Sequence, residues 1–479
     1  MQMSSGVRWS SWISWSVILL ASLWVIVEVR GGGHAAGSEK LAAQASVSAQ
    51  QALMSSIVNG ATSPMFSGPM GPQLSGMQDQ VAALVYPDDP GSELASAAML
   101  AQLGAPKRGM ELLESLRGRI SAGEVDADEE FRSLLDAELA LVSRIDRGEA
   151  SDVPADERER IEKALGPTGR MLVAKASGDQ STLEELQASG ALVLGLIVFL
   201  GVGAVGLGLV GLAFWVLFAV LLVLGKTSGL AREQGDWNHV YAEVFAVWLV
   251  AYMALPRVLR ALVPLESLLS SDAALVLGVL LTLLAAAAAL WWGTVRGLPL
   301  RMLLSGCGVA RWGVMDVVWG VACWSMGIVA LAAGVGVAVV LSKLFGDGTM
   351  RPSHPIQQMV QDSGGLGLLC TYMLACVSAP LFEELFFRGA MYRNLRTGLG
   401  RWGPLGSAAA SMAISSFIFA AIHPQGLIFV PVLGGLAVGF CVMREWRGSI
   451  NASIVAHALN NFTVLSLNVL MLRGEIQPG

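Results

Sequence analysis

The stretch from Gly190 to Gly225 contains 36 residues and no charged side chain. As a single α-helix it would be about 54 Å long, whereas the hydrocarbon core of a bilayer is roughly 30 Å thick. This run therefore predicts a helix that crosses a membrane and that must tilt, kink or project beyond it.

Eight further apolar runs have the length and composition of membrane spans. They lie near residues 12–29, 239–256, 273–293, 313–342, 364–382, 404–423, 427–443 and 450–472. Only 14% of the residues are charged, compared with about 25% in soluble domains. The sequence therefore predicts an all-α polytopic membrane protein with about nine transmembrane helices, embedded in a lipid bilayer. The first run is either a cleaved signal peptide or an uncleaved anchor, and its length favours the anchor.

Charge is distributed unevenly along the chain. Residues 35–188 hold 24 of the 37 acidic residues and 13 of the 31 basic ones, a local net charge of −11. Helical spacing of apolar residues over 92–103, 109–120 and 128–145 makes this segment a small acidic, all-helical domain. We therefore divide the chain into an anchor or signal segment (1–34), the acidic domain (35–188), additional transmembrane helices (189–289) and a C-terminal membrane core (290–479). The total net charge of −6 gives no reason to expect a nucleic-acid partner.

Basic residues in the short connections predict the orientation of the spans. Twelve of them fall in the set of connections that includes the N-terminus, and six fall in the opposite set. Because cytoplasmic connections are richer in Lys and Arg, the N-terminus is expected in the cytoplasm. Residues 35–188 and the C-terminus are then expected outside, as in a multi-pass protein of the cytoplasmic membrane if the source is bacterial.

Two adjacent acids near the end of one span are candidates for chemistry. Glu384 and Arg388 are four residues apart on a helix and can pair, whereas Glu383 is rotated by about 100° and can face another surface. A partly desolvated carboxylate without a cationic partner is suited to act as a general base. Without other evidence, the same cluster could equally be a solvated helix end at the membrane interface.

Two later spans carry further polar groups. His423 follows Phe419 by one helical turn, and His457 shares a helix face with Asn461. An imidazole and a carboxamide can hold a metal, orient a water or donate to an oxyanion, but they can also serve as hydrogen-bonding contacts between helices. Three spans that each supply such groups favour a site built between packed helices, since ionisable groups inside membranes usually mark function.

These residues resemble the motifs of the CAAX-protease and bacteriocin-processing (CPBP) family of intramembrane proteases, also called the type II CAAX-endopeptidase or abortive-infection family. The family shows E-E-x-x-x-R, F-x-x-x-H and H-x-x-x-N in this order. The chain has Glu383-Glu384-x-x-x-Arg388, Phe419-x-x-x-His423 and His457-x-x-x-Asn461 without departure. The resemblance covers roughly residues 290–472.

The resemblance implies hydrolysis of peptide bonds in membrane-associated proteins or peptides. Glu383 and His423 would activate the attacking water, and His457 and Asn461 would stabilise the oxyanion. Glu384 and Arg388 would support the helix that carries Glu383, and Phe419 would shape the pocket. The family is commonly labelled as metalloproteases, so zinc held by Glu383, His423 and His457 stands as an alternative to a glutamate-activated water without metal. The resemblance does not establish whether a substrate is prenylated.

A non-catalytic function remains open from the sequence. The chain could be a membrane scaffold that acts through its external helical domain, with the polar side chains of the spans serving only in packing. A transporter is a weaker possibility, because no inverted repeat is visible.

Overall fold

The computed structural model describes residues 5–31, 54–63, 74–85, 89–226, 237–262, 271–345, 364–423, 425 and 427–473. No β-strand occurs within these ranges. The helices in chain order are α1 (Ser5–Gly31), α2 (54–61), α3 (Leu74–Ala82), α4 (Pro90–Gln102), α5 (Pro106–Ser121), α6 (Glu129–Arg147), α7 (Ala155–Leu165), α8 (Pro167–Ser177), α9 (Gln180–Val223), α10 (Asn238–Leu262), α11 (Ser271–Val295), α12 (Leu300–Gly306), α13 (Val314–Phe345), α14 (Gly365–Gly398), α15 (Gly403–Ala421), α16 (Val430–Arg447) and α17 (Asn451–Arg473).

Eight of the described helices are long and apolar enough to cross a membrane. A ninth apolar helix, over Ser10–Trp24, is shorter. The charge-free run found in the sequence lies in α9, which is 44 residues long. The protein is therefore an all-α, multi-pass membrane protein, as the sequence predicts.

The chain divides into two compact units. One comprises residues 47–203, and the other comprises residues 1–46 and 204–479. The first unit contains most of the segment predicted as an acidic helical domain, although its boundaries differ from 35–188. Its limit falls inside α9 because the beginning of that helix packs on the unit, with Gly190 against Gly60 and Leu194 in an apolar cluster. Residues 32–53, which include the predicted junction at 34/35, lie outside the described residues.

The helices of the 47–203 unit follow from local sequence signals. In α6, the Asp128 side chain accepts a hydrogen bond from the amide of Phe131, and Gly148 ends the helix in a left-handed conformation. Its apolar face buries Leu135, Leu141 and Val142 against α4 and α8. The three helices predicted in this segment are all present as α4, α5 and α6.

In the other unit, aromatic side chains pack α10 against α14. Trp248 stacks on Phe386 with ring centroids 4.7 Å apart, and Phe245 meets Phe387 edge-on at 5.1 Å. The apolar core continues through α11, α15 and α16. Such ring pairs add to the energy of packing and fix the register of the two helices.

The predicted apolar span ends at residue 382, but Glu383 can meet His423 only if its helix runs on to about Arg396. This continuation is confirmed, since α14 extends from Gly365 to Gly398, and Glu383 and Glu384 lie inside the helix rather than at its end. The polarity of Glu383, Glu384 and Arg388 suggested an interface, but Glu384 and Arg388 pair with each other inside the protein, and the side chain of Glu383 is only 13% exposed. Three of the twelve basic residues used to predict orientation are likewise buried, namely Arg388, Arg396 and Arg444. The orientation itself stays a prediction.

Candidate active site

Two π-helical segments interrupt α14, over Leu374–Ser378 and Glu384–Met391. A π-turn widens the helix locally and is found mostly at functional sites. Glu383 is the last residue before the second segment. Both glutamates approach His457 there: Glu384 Oε1 lies 3.0 Å from Nδ1, and Glu383 Oε2 lies 3.9 Å from Nε2.

Glu384 and Arg388 form an ion pair that is completely buried. The guanidinium donates to Glu384 Oε1 at 2.8 Å, and neither side chain has any solvent exposure. The guanidinium also lies 4.4 Å from the ring centroid of Phe419 and 4.9 Å from that of Phe440. The pairing predicted from the i,i+4 spacing is therefore confirmed, and it leaves Glu383 without this cation.

His457 is held on both sides. Because the Glu384 carboxylate is paired with Arg388, it acts as an acceptor, and His457 Nδ1 must donate the hydrogen bond that joins them. The ring stacks on Phe440 with centroids 5.2 Å apart. The remaining nitrogen, Nε2, is thus directed towards Glu383.

His423 has a similar arrangement. Its Nδ1 contacts the backbone carbonyl of Phe419, which can only accept, so Nδ1 carries the proton. Nε2 lies 4.0 Å from Glu383 Oε2, and the ring packs 4.5 Å from that of Phe419. The structure therefore brings Glu383, His423 and His457 together as predicted.

Glu383 forms no hydrogen bond with another described residue, and its side chain is 13% exposed. Separations of 3.9 and 4.0 Å exceed the length of a hydrogen bond. A small molecule such as water can bridge polar atoms at this spacing. The carboxylate is therefore available to a water that also contacts an imidazole.

Asn461 lies one turn beyond His457 on α17, but its side chain is already engaged. Its Nδ2 donates to the backbone oxygen of Ala375 at 2.8 Å, and its Oδ1 accepts from Asn460 at 3.3 Å. One N–H of the carboxamide is left over. The bond to Ala375 ties α17 to the first π-helical segment of α14.

The spacing of the three groups does not fit zinc. Ligand bonds of 2.0–2.1 Å in a tetrahedron place donor atoms about 3.3 Å apart, whereas Glu383 Oε2 lies 3.9 and 4.0 Å from the two Nε2 atoms. Within the described part of the chain, no group of three His, Cys, Asp or Glu side chains is arranged to hold a metal ion.

Some residues around the site escaped the sequence analysis. Phe440 contacts both Arg388 and His457, and Tyr252 on α10 interacts electrostatically with Glu383. Glu445 binds Arg396 and Tyr392 in a buried network farther along α14. Only Glu445 had a usable signal, an acid between Arg444 and Arg447 at the end of an apolar span. An aromatic residue in an apolar run gives no such signal.

Comparison with known proteins gives one match. The model of a family described as Rce1-like, type II CAAX prenyl endopeptidase, matches residues 365–463. This segment contains all three motifs and every residue of the site described above except Tyr252. Neither the curated proteins nor the solved structures contain a match to the chain.

Proposed function

We propose that the protein is an intramembrane endopeptidase that cleaves membrane-associated proteins or peptides, because residues 365–463 match the model of the Rce1-like, type II CAAX prenyl endopeptidase family. The observation that carries the proposal is the unpaired carboxylate of Glu383, which faces Nε2 of both His423 and His457. A base next to two imidazoles in a partly buried site is suited to activate water.

In the proposed reaction, a water lies between Glu383 and His423. Glu383 removes a proton from the water. The oxygen of the water bonds to the carbonyl carbon of the substrate, and the carbonyl oxygen becomes an oxyanion. The carbon–nitrogen bond then breaks, and the proton passes to the leaving amine. The products are a free carboxylate and a free amine. Glu384 and Arg388 act only as positioning residues, because their bonds to each other and to His457 hold the ring in place.

His457 and Asn461 are the proposed oxyanion donors, each with one N–H. His457 uses Nδ1 to bind Glu384, so it donates from Nε2 only as an imidazolium. Asn461 contributes the N–H that Ala375 does not use. Phe419 keeps the pocket closed around the two imidazoles.

We propose that the reaction runs without zinc, since the donor spacing does not fit that ion. Purified protein should keep full activity in a strong chelator and contain no stoichiometric zinc by elemental analysis. Activity that is lost in chelator and restored by zinc would contradict this part of the proposal.

Comparative proteomics of membranes from cells with wild-type or Glu383→Ala protein tests the function. A precursor should accumulate in the variant and in His423→Ala, whereas Glu124→Ala, a change at an exposed loop position, should leave it unchanged. Normal processing in the Glu383→Ala strain, at equal protein level, would sink the assignment.

A further inference from the structure

One side chain near Glu383 comes from a helix outside the segment that matches the family. The ring contacts between α10 and α14 show that the two helices are antiparallel. Phe245 meets Phe387, and Trp248 meets Phe386. One turn farther on α10, Tyr252 stacks on Trp248 with centroids 5.4 Å apart. The antiparallel register thus brings Tyr252 to the level of the proposed base.

The environment of Tyr252 leaves its hydroxyl available. One face of the ring rests on Trp248, which is 1% exposed, whereas Tyr252 itself is 38% exposed. Its hydroxyl has no hydrogen-bond partner among the described residues. A tyrosine in an apolar environment normally finds such a partner.

The proposed site is poor in donors for an oxyanion. His457 Nε2 carries a proton only when the ring is charged, and half of the Asn461 amide is bonded to Ala375. Oxyanion stabilisation needs donors that are aimed before the reaction starts. A phenol is neutral at physiological pH and always carries its proton, so it can donate without a preceding protonation.

Resting on the proposed endopeptidase function, we infer that Tyr252 is a further catalytic residue, whose hydroxyl donates a hydrogen bond to the oxyanion of the tetrahedral intermediate. The phenolic proton stays on the tyrosine, and no bond in the side chain is made or broken. Tyr252 stacks on Trp248, which itself stacks on Phe386, and this fixes the ring, so the donor is preorganised by α10.

Full-length protein in phosphatidylcholine nanodiscs, assayed with a pool of internally quenched apolar octapeptides, tests this role. Tyr252→Phe keeps the aromatic stack and removes only the hydroxyl. It should lower kcat about 100- to 1,000-fold on the best-cleaved peptide, with KM and melting temperature unchanged. Tyr372→Phe is the matched control. It removes a hydroxyl that bonds Ser466 on α17, and kcat should stay at the wild-type value.

The pH profile separates a donor from a residue that acts through Glu383. A direct donor lowers kcat by the same factor from about pH 5.5 to 8.5, whereas a residue that tunes the base shifts the acid limb of the profile. Such a shift would overturn the inference, as would a kcat within threefold of wild type. Glu383→Ala runs in parallel. If Glu383→Ala cleaves as fast as the wild type, or if the wild type cleaves no peptide, the endopeptidase proposal fails. The role of Tyr252, which depends on that proposal, then fails as well.

Discussion

At the scale of single residues, the two adjacent glutamates have opposite surroundings. Glu384 is completely buried and bonds both Arg388 and His457, whereas Glu383 is partly exposed and bonds no described residue. The same type of side chain therefore has a structural role at position 384 and a proposed chemical role at position 383. The helix makes this difference possible because successive residues point in different directions.

This contrast predicts different outcomes for Glu384→Gln and Glu383→Gln. Glu384→Gln leaves the Arg388 cation buried without its counter-charge and should destabilise the protein by about 3–5 kcal/mol. Glu383→Gln should abolish cleavage and change stability by less than about 0.5 kcal/mol. Thermal unfolding of the two purified variants in the same detergent measures the difference, and equal melting temperatures would contradict it.

The prediction that Glu383, His423 and His457 meet came from the resemblance to the family motifs, supported by the cost of exposing ionisable groups to lipid. The predicted span boundaries alone placed Glu383 and His423 at opposite ends of their spans. The sequence was sufficient to pair Glu384 with Arg388, a contact within one helix. It could not predict the bond from Asn461 to Ala375 or the approach of Tyr252. Both depend on the π-helical segments and on the register of α10, which tertiary packing sets.

At the scale of secondary-structure elements, a buried polar network joins α14 to α15 and α16 beyond the site. Arg396 bonds Glu445 at 2.6 Å and contacts Ser407, and Tyr392 donates to the same carboxylate at 2.9 Å. Arg396 is 4% exposed. Although the sequence suggested that this arginine belongs to a solvated connection, it anchors the end of the helix that carries the proposed base.

A double-mutant cycle tests the network. Arg396→Met removes the buried cation that bonds Glu445 at 2.6 Å and should destabilise the protein by about 3–5 kcal/mol, whereas Arg396→Met with Glu445→Leu should recover much of the loss. Thermal unfolding of the wild type, Arg396→Met, Glu445→Leu and the double variant gives the coupling energy. A double variant as unstable as the single one would show that the pair does not act as a unit.

In the 47–203 unit, α6 buries one carboxyl group completely. Glu138 has no exposed surface, and neither carboxylate oxygen has a hydrogen-bond partner among the described residues. Burial raises the pKa of Glu138 well above its ordinary value, an effect that the Ala98 backbone amide, which is too poorly placed for a full hydrogen bond, only partly offsets. The folded unit therefore holds this group protonated at a pH where the unfolded chain releases the proton.

The sign of the resulting pH dependence follows from linkage. Because the unfolded state binds fewer protons, stability falls as pH rises above about 4.3 and continues to fall until the folded-state pKa is passed. Glu138→Leu should remove this loss and raise the opening free energy of α6 by about 1–3 kcal/mol at pH 8, with a smaller gain at pH 4.5.

Hydrogen exchange of the α6 amides in the full chain reports the opening free energy at each pH. Glu124→Leu, at an exposed loop position, serves as the control and should give no gain that depends on pH. A Glu138→Leu effect of equal size at both pH values would contradict the assignment of a buried protonated carboxyl.

At the scale of the whole molecule, the chain joins a helical unit with a strongly acidic surface to a membrane bundle that contains the candidate site. Because residues 47–203 form a compact unit, the scaffold hypothesis can be tested by a deletion. If the protein acts through this unit alone, deletion of residues 40–185 removes its cellular effect and Glu383→Gln has none. The endopeptidase proposal requires that Glu383→Gln remove the effect by itself.

The membrane orientation gives the last prediction. Without the three buried arginines, nine basic residues remain on the side of the N-terminus and six on the other, so the positive-inside rule still places residues 35–188 outside.

In intact cells, a membrane-impermeant maleimide should label Glu124→Cys in the loop between α5 and α6. It should label Arg447→Cys, at the exposed end of α16, only after the membrane is opened. The unsubstituted protein gives the background from its five native cysteines, three of which are buried. Labelling of Arg447→Cys from outside, with Glu124→Cys protected, would reverse the orientation and put the acidic unit in the cytoplasm.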